Sequence, residues 1–203
     1  MKLYFVRHGE SEANLLHEFS NRGLKHPLTG KGRQQAHTLA AAFRGMPLAR
    51  LFSSPILRAI QTAEILAEAV GVPYEITDAL REYDCGIWEE SSDPAGWKIY
   101  DQVVEAWQRG EYEQRMEGGE SFLDIQARFV PFIEGLVSDY GRSATNLVLV
   151  GHGGTYRMML PRVLTNVDPR FALDNHLGNT SAVVAELRPE GLCCLAWGEI
   201  ALG

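Results

Sequence analysis

The 203-residue sequence contains little cysteine, namely Cys85, Cys193 and Cys194. Cys193 and Cys194 are adjacent in a predicted strand, where successive side chains point to opposite faces. The three residues also lack the spacing of zinc ligands. These features exclude a disulfide framework and predict that the thiols are small buried side chains.

The sequence also lacks long apolar runs and an excess of basic residues. No stretch approaches the roughly 18 apolar residues of a membrane span, and the chain begins as a strand rather than as a signal peptide. Nineteen basic and 26 acidic residues give a net charge of −7, which disfavours nucleic acid and anionic lipid as partners. We therefore expect a cytoplasmic protein that binds neither nucleic acid nor membranes. The sequence leaves its oligomeric state open.

Motifs for metals and nucleotide cofactors are missing as well. Neither a His-Glu-x-x-His motif nor an Asp-rich loop occurs. Gly151-x-Gly153-Gly154 follows a predicted strand, as a dinucleotide fingerprint does, but Tyr156 stands where that fingerprint needs glycine. The sequence thus predicts no cofactor and no metal site.

Short apolar segments alternate with stretches of helical periodicity over most of the chain. This pattern predicts an α/β three-layer sandwich with a mostly parallel central sheet and helices on both faces. Ser54-Pro55 is typical of a helix start, with serine as N-cap and proline at the first helical position. Pro161 is expected to kink or end a helix that begins at Gly153. The predicted strands are 2–6, 48–53, 73–77, 146–150 and a terminal hairpin of 181–187 and 192–198, and the predicted helices include 12–19, 36–43, 56–70 and 122–140.

Residues 84–119 interrupt this alternation with an acidic, tryptophan-rich segment. We interpret the segment as a small helical cap inserted into a single domain that spans residues 1–203. Its aromatic residues are predicted to form the core of the cap rather than a cage for a ligand. These residues are Trp88, Trp97, Tyr100, Trp107 and Tyr112.

Histidines and arginines follow several of the predicted strands. Arg7-His8-Gly9-Glu10 comes directly after the first strand, and His152 lies between glycines after the strand 146–150. The cation beside His8 disfavours imidazolium, so this side chain should stay neutral and nucleophilic. Since the carboxyl ends of parallel strands form the ligand crevice of such folds, these residues and Arg58, in the first turn of a helix, predict a phosphate pocket.

Each of these residues also has a simpler interpretation. Arg58 could be a surface cation of its helix, and His152 could be a capped core histidine. Glu82, the candidate proton donor, could be a solvated loop acid. Their joint position at the ends of strands favours a common site.

Several motifs resemble those of the histidine phosphatase superfamily, also called phosphoglycerate mutase-like, and occur in the order typical of that family. The resemblance implies that His8 becomes phosphorylated, that Arg7, Arg58 and His152 hold the phosphoryl group, and that Asn14 contacts it. Glu82 matches the family's acid. The predicted catalytic residues are His8, Glu82, His152, Arg7 and Arg58, and the predicted substrate-binding residues are Arg7, Ser11, Asn14, Arg58 and Gly153. The motifs are RHGES (7–11), HPLTGKGRQQA (26–36), SSPILRAIQTA (53–63), LREYDCGIWE (80–89), GGES (118–121) and GHGG (151–154).

The expected activity is hydrolysis of a small phosphate monoester through a phosphohistidine intermediate, with release of inorganic phosphate and without a metal. Two alternatives are a cofactor-dependent phosphoglycerate mutase and a non-catalytic module that binds a phosphorylated ligand. Gly154, where mutases of the family usually have asparagine, and Ala13, where they tend to have tryptophan, favour a phosphatase. Glu90 replaces a frequent glycine with no evident consequence. The cap segment also has few basic residues for a second anionic group, namely Lys98, Arg109 and Arg115.

Overall fold

A seven-stranded sheet forms the centre of the structure, a computed structural model that describes residues 1–203. Its strand order is β3-β2-β4-β1-β5-β6-β7. Neighbouring strands from β3 to β1 run parallel, and β5, β6 and β7 are antiparallel to their neighbours. The predicted α/β class is confirmed. The strands are β1 (Lys2–Arg7), β2 (Leu48–Ser53), β3 (Tyr74–Ile76), β4 (Asn146–Gly151), β5 (Ala182–Arg188), β6 (Gly191–Trp197) and β7 (Ile200–Ala201).

Helices cover both faces of this sheet because the side chains of its buried strands alternate between two cores. Leu3 and Phe5 of β1 belong to the core that includes Phe129. Val6, the next residue of β1, belongs to the opposite core with Ala59. The helices are α1 (Glu12–Leu16), α2 (Gly30–Phe43), α3 (Leu57–Val70), α4 (Pro94–Gln108), α5 (Phe122–Tyr140), α6 (Gly153–Val163) and α7 (Pro169–Asp174).

Local capping signals account for most helix starts, with one correction. Thr29 caps α2 by accepting a hydrogen bond from the N–H of Gly32 at 2.9 Å, and Ser121 begins α5 with the predicted capping box. The prediction of a helix start at Ser54-Pro55 is wrong, since α3 begins at Leu57. The hydroxyl of Ser54 instead lies 2.7 Å from a ring nitrogen of His152. A contact with a residue distant in sequence therefore determines the role of this serine.

Two other boundaries differ from the predicted ones, and one helix was missed. α1 ends at Leu16 rather than near residue 19, because His17 adopts a left-handed conformation with φ of 52°. α2 begins at Gly30 rather than at residue 36, because Thr29 caps it. α7 was not predicted from the sequence pattern, although Asp168 caps it with its carboxylate.

The segment 84–119 contains a short 3-10 turn (Gly86–Trp88), helix α4 and no strand. All three cysteines are free and buried, as predicted, and burial is the main reason why the pKa of the Cys85 thiol is raised. None of the helices combines the length and the hydropathy that a bilayer crossing requires.

Candidate active site

The site forms where the carboxyl ends of β1, β2 and β4 meet. β4 lies between the other two strands, and its register with β1 pairs Arg7 with Gly151. The residue that follows each of these two strands, β1 and β4, is a histidine. The rings of His8 and His152 therefore lie with their centroids 5.0 Å apart.

Gly9, which follows His8, lies where the loop after β1 comes into close contact with α2. A Cβ at this position would lie 2.5 Å from the carbonyl oxygen of Gly32. The loop after β1 thus packs directly against the first turn of α2, and only glycine permits this approach.

The hydrogen bonds of His8 determine which ring nitrogen is nucleophilic. Nδ1 lies 2.7 Å from the carbonyl oxygen of Gly9, which can only accept, so Nδ1 carries the hydrogen. Nε2 accepts a hydrogen bond from Nε of Arg58 at 3.0 Å. Burial, and then the charges of Arg58 and Arg7, lower the pKa of His8 well below its usual value. The imidazole is therefore neutral, and Nε2, whose lone pair accepts the Arg58 hydrogen bond, is the nitrogen that can attack once that N–H turns to a bound phosphoryl group.

Arg58 is a buried side chain of α3 and not a surface cation, since only 5% of it is exposed. Its guanidinium donates to the carbonyl oxygen of Ser20 at 2.5 Å and to Oδ1 of Asn21 at 3.4 Å. Burial lowers its pKa to about 10, so the group remains protonated near neutral pH. These contacts with the backbone of Ser20 and the amide of Asn21 fix the orientation of the guanidinium group.

Arg7 supplies a second guanidinium without an ion pair. It donates to the carbonyl oxygen of Leu177 at 2.6 Å, while its buried Nε has no hydrogen-bond partner. Burial lowers its pKa and Glu82 raises it. Two cations with unused donors in one place are suited to bind a phosphoryl group.

His152 is completely buried at the N-terminus of α6. Its Nε2 lies 2.7 Å from the hydroxyl of Ser54, a contact that the sequence did not indicate. Its Nδ1 has no partner. Burial, followed by the charges of Arg58, His8 and Arg7, lowers the pKa of His152 well below its usual value, so this ring is neutral as well.

Glu82 is held by the N-terminus of α6 and is not a solvated loop acid. Its carboxylate accepts hydrogen bonds from the N–H groups of Gly154 and Thr155, at 2.9 and 2.7 Å, and from the Thr155 hydroxyl at 2.8 Å. A Cβ at Gly154 would lie 2.7 Å from Oε2 of Glu82. The absence of a side chain at residue 154 is therefore a condition for this placement.

Arg7, His8, Arg58 and Glu82 line a cavity of about 430 Å³, a volume typical of small-molecule sites, whereas the completely buried His152 does not line it. Asn14 lines the cavity, and its Oδ1 already accepts from the N–H of Ser11 and from Asn179. The amide Nδ2 of Asn14 is thus the end that can donate to a ligand. Ser11 itself is completely buried and does not line the cavity. Gly153 does, and a Cβ there would lie 3.3 Å from Cδ of Arg7.

The upper wall of the cavity includes residues that the sequence analysis had assigned to the cap core or had not singled out. The prediction of a core position is correct for Trp107, which is 3% exposed. It also holds for Trp97 and Tyr100, which pack against the core with part of their surface, but both residues line the cavity as well. Arg157 and His176 also line it, with Nη1 of Arg157 2.8 Å from Nδ1 of His176. The position of Arg157 on α6, five residues after His152, was the available signal.

No three His, Cys, Asp or Glu side chains lie close enough together to hold a metal ion. The positive charge around His8 comes instead from Arg7 and Arg58. An arrangement of a neutral histidine, two guanidinium groups and a carboxylate can bind a phosphate, attack phosphorus and transfer a proton.

Comparison with known proteins gives a family match over nearly the whole chain. The sequence pattern of the histidine phosphatase superfamily (branch 1) matches residues 3–200. An adenosylcobalamin/alpha-ribazole phosphatase of Salmonella typhimurium is 33% identical over 165 residues, which are 81% of this chain and 80% of that protein.

Two further similarities concern a different enzyme and a solved structure. A probable phosphoglycerate mutase of Salmonella choleraesuis is 33% identical over 134 residues, 63% of this chain and 59% of the mutase. The structure of a protein described as mycobacterial hydrolase 1 superimposes with a TM-score of 0.81 at 25% identity and covers 98% of this chain and 99% of its own.

Proposed function

The chain belongs to the histidine phosphatase superfamily, and from this premise we propose that it hydrolyses phosphate monoesters of small metabolites through a phosphohistidine formed at Nε2 of His8. The observation that carries the proposal is the hydrogen-bond pattern of His8. Gly9 holds Nδ1 as the donor, so the lone pair of Nε2 lies beside the guanidinium of Arg58.

In the first step, Nε2 attacks phosphorus in line with the ester oxygen. The bond from nitrogen to phosphorus forms as the ester bond breaks, and Arg7 and Arg58 stabilise the charge on the transferring group. His152, the amide of Asn14 and the backbone at Gly153 complete the contacts to that group. Glu82 gives its proton to the leaving oxygen.

In the second step, water attacks the phosphohistidine. Glu82 takes a proton from the water as the new bond to oxygen forms and the bond to nitrogen breaks. Inorganic phosphate leaves, and His8 is again neutral. We propose that Ser11 contributes by orienting Asn14, because its N–H donates to Oδ1 of that residue at 3.1 Å.

Several broader features belong to this proposal. Residues 84–119 act as a cap over the cavity, inserted into a single domain, since Trp97 and Tyr100 of α4 line the cavity. The reaction proceeds without a metal, because the two arginines supply the positive charge that a metal provides elsewhere. A cytoplasmic location belongs to the proposal and is supported by the three free thiols, because the cytoplasm keeps cysteines reduced.

A phosphatase is favoured over a mutase because the cap segment contributes no cation to the cavity wall, where the cation beyond Arg7 and Arg58 is Arg157 of α6. None of the basic residues of the cap segment lines the cavity. Arg109 pairs with Glu111, and Arg115 pairs with Asp124. The carboxylate of Glu82 accepts hydrogen bonds from two backbone N–H groups and a hydroxyl. A non-catalytic binding module would not need an acid held in this position.

The test is to trap the intermediate. After brief incubation with a radiolabelled phosphate monoester, the protein should retain the label in alkali and lose it in acid. His8→Ala should abolish both labelling and turnover, whereas the exposed His37→Ala is the matched control and should keep both. Undiminished turnover in His8→Ala would contradict the proposal.

Two further measurements separate the alternatives. With phosphoglycerate and catalytic bisphosphoglycerate, release of phosphate should exceed isomerisation, and the reverse would assign the protein to the mutases. Activity should persist after treatment with a chelator. Loss of activity that Mg²⁺ restores would contradict metal independence.

A further inference from the structure

A second cavity, of about 360 Å³, lies beside the catalytic one between α4, α6 and α7. Much of its lining is apolar, and three arginines are among the polar residues that line it. The chain has a net charge of −7, whereas this cluster of arginines is locally positive. The apolar residues include Val104, Trp107, Phe122, Met158 and Leu173, and the arginines are Arg157, Arg162 and Arg170.

Two of these arginines have no carboxylate partner. Arg162 lies over the rings of Tyr112 and Phe122, with its guanidinium carbon 4.9 Å from each centroid. Arg157 donates only to His176. Stacking on aromatic rings orients the Arg162 guanidinium and leaves its N–H groups free for an anion.

The acids near the second cavity are engaged elsewhere. Asp168, the acidic residue that lines it, accepts hydrogen bonds from the backbone at the start of α7, the shorter one 2.7 Å from Arg170. Asp174 pairs with the side chain of Arg170 at 2.9 Å. Three lining arginines against one lining carboxylate give the cavity wall a net positive charge, and Arg157 and Arg162 are the two arginines without a carboxylate partner.

Arg157 connects this cavity to the catalytic one because it lines both. Its charge acts on the catalytic residues: burial lowers the pKa of Arg7, Glu82 raises it, and Arg157 lowers it further. An anion that draws the Arg157 guanidinium toward the second cavity would reduce the positive potential at the catalytic one.

We propose that the second cavity binds an aromatic organic anion, with its ring system against Trp107 and Leu173 and its anionic group between Arg157 and Arg162. This pairing of an apolar lining with a few convergent charged groups is the usual composition of a ligand site. Occupancy weakens the binding of a phosphate monoester at His8 by recruiting Arg157.

Binding is tested directly with anilinonaphthalenesulfonate, an aromatic sulfonate whose fluorescence rises on binding. The wild type should bind the probe saturably, and Arg162→Gln should weaken binding by about tenfold or more, the effect of one lost charge-assisted contact. Arg142→Gln, an exposed arginine after α5, removes the same charge and should leave the affinity unchanged. Equal affinities in the three proteins would overturn the proposal. Complete displacement of the probe by inorganic phosphate would also overturn it.

The coupling, which rests on the proposed phosphatase activity, is tested by kinetics with p-nitrophenyl phosphate. In the wild type and in Arg142→Gln, rising probe concentration should increase KM to a plateau. In Arg162→Gln the same plateau should require about tenfold more probe. An increase without limit would indicate competition at His8, and no increase would refute the coupling. Since probe binding is measured without turnover, its failure is distinct from a failure of the proposed activity.

Discussion

Nε of Arg58 donates a hydrogen bond to Nε2 of His8 over 3.0 Å at the base of the catalytic cavity. A guanidinium nitrogen cannot accept, so this contact defines Nε2 as the unprotonated nitrogen. It also places a positive charge next to the atom that would bond to phosphorus. One residue pair therefore sets both the protonation state of the nucleophile and the charge around the transferring group.

Arg58→Lys should slow phosphorylation of His8 by about 10²–10³-fold, the usual effect of removing one oriented donor from a charged transition state. A lysine keeps the charge but cannot contact His8, the Ser20 carbonyl and Asn21 simultaneously. Single-turnover kinetics measure the rate. The exposed Arg33→Lys is the control and should be unaffected. A wild-type rate in Arg58→Lys would show that guanidinium geometry is unimportant.

Glu82→Gln should slow the phosphorylation of His8 more strongly for substrates whose leaving group must be protonated. General acid catalysis contributes about 10²–10⁴-fold, so an alkyl phosphate should lose that much. For p-nitrophenyl phosphate, whose phenolate leaves unprotonated, phosphorylation should lose far less. Single-turnover measurements are required, because slow dephosphorylation of His8 would hide the difference. Equal losses for both substrates would transfer the acid role to another group, with Glu18, the other acidic residue that lines the cavity, as the candidate.

Gly154→Ala should impair the same step without touching the acid itself. The added methyl group would lie 2.7 Å from Oε2 of Glu82, so the carboxylate must move from its backbone donors. We expect turnover of an alkyl phosphate to fall by about tenfold or more, with a smaller loss for p-nitrophenyl phosphate. Gly135→Ala, in α5 with nothing within 4 Å, is the control and should keep full activity. The same activity in both variants would contradict the role of Gly154.

The two buried histidines should make the protein less stable in mild acid. Both have a pKa well below the usual 6.5 in the folded protein, whereas both titrate normally when unfolded. Below that pH the unfolded chain therefore takes up protons that the folded one does not. The free energy of unfolding should fall as the pH decreases from 6.5, by at most about 1.4 kcal/mol per pH unit for each histidine.

Urea denaturation at about pH 7.5, 6.5 and 5.5 measures this slope. His152→Gln removes one of the groups with a lowered pKa, which include His176, and should reduce the slope in that range. The exposed His37→Gln is the matched control and should leave the slope unchanged. An identical slope in wild type and His152→Gln would show that His152 is protonated in the folded protein.

Local patterns were enough to predict the fold class and the strand ends that carry the site. Alternation of short apolar strands with amphipathic helices is a property of neighbouring residues, and it predicted the α/β sheet. The capping serine and threonine that begin α5 and α2 act within three residues, so those starts were readable as well. His8 and His152 stood out because each directly follows a buried strand.

What the sequence could not supply was every relation between residues far apart in the chain. α3 begins later than predicted, and Ser54 contacts His152, 98 residues away in sequence, instead of capping the helix. Glu82 acquired its partners from the N-terminus of α6. Trp97 and Tyr100 pack against the core and also line the cavity, a double role that depends on how α4 packs against the rest of the structure.

The sequence by itself therefore determined the elements of this protein and the types of chemical group at the strand ends. Only the tertiary structure decided which nitrogen of His8 is nucleophilic, what holds Glu82, and that Arg157 lines two cavities. The physical reason is that hydrogen bonds, burial and charge interactions depend on distances of a few ångströms. For residues distant in sequence, the packing of helices on the sheet sets those distances, and no local pattern encodes them.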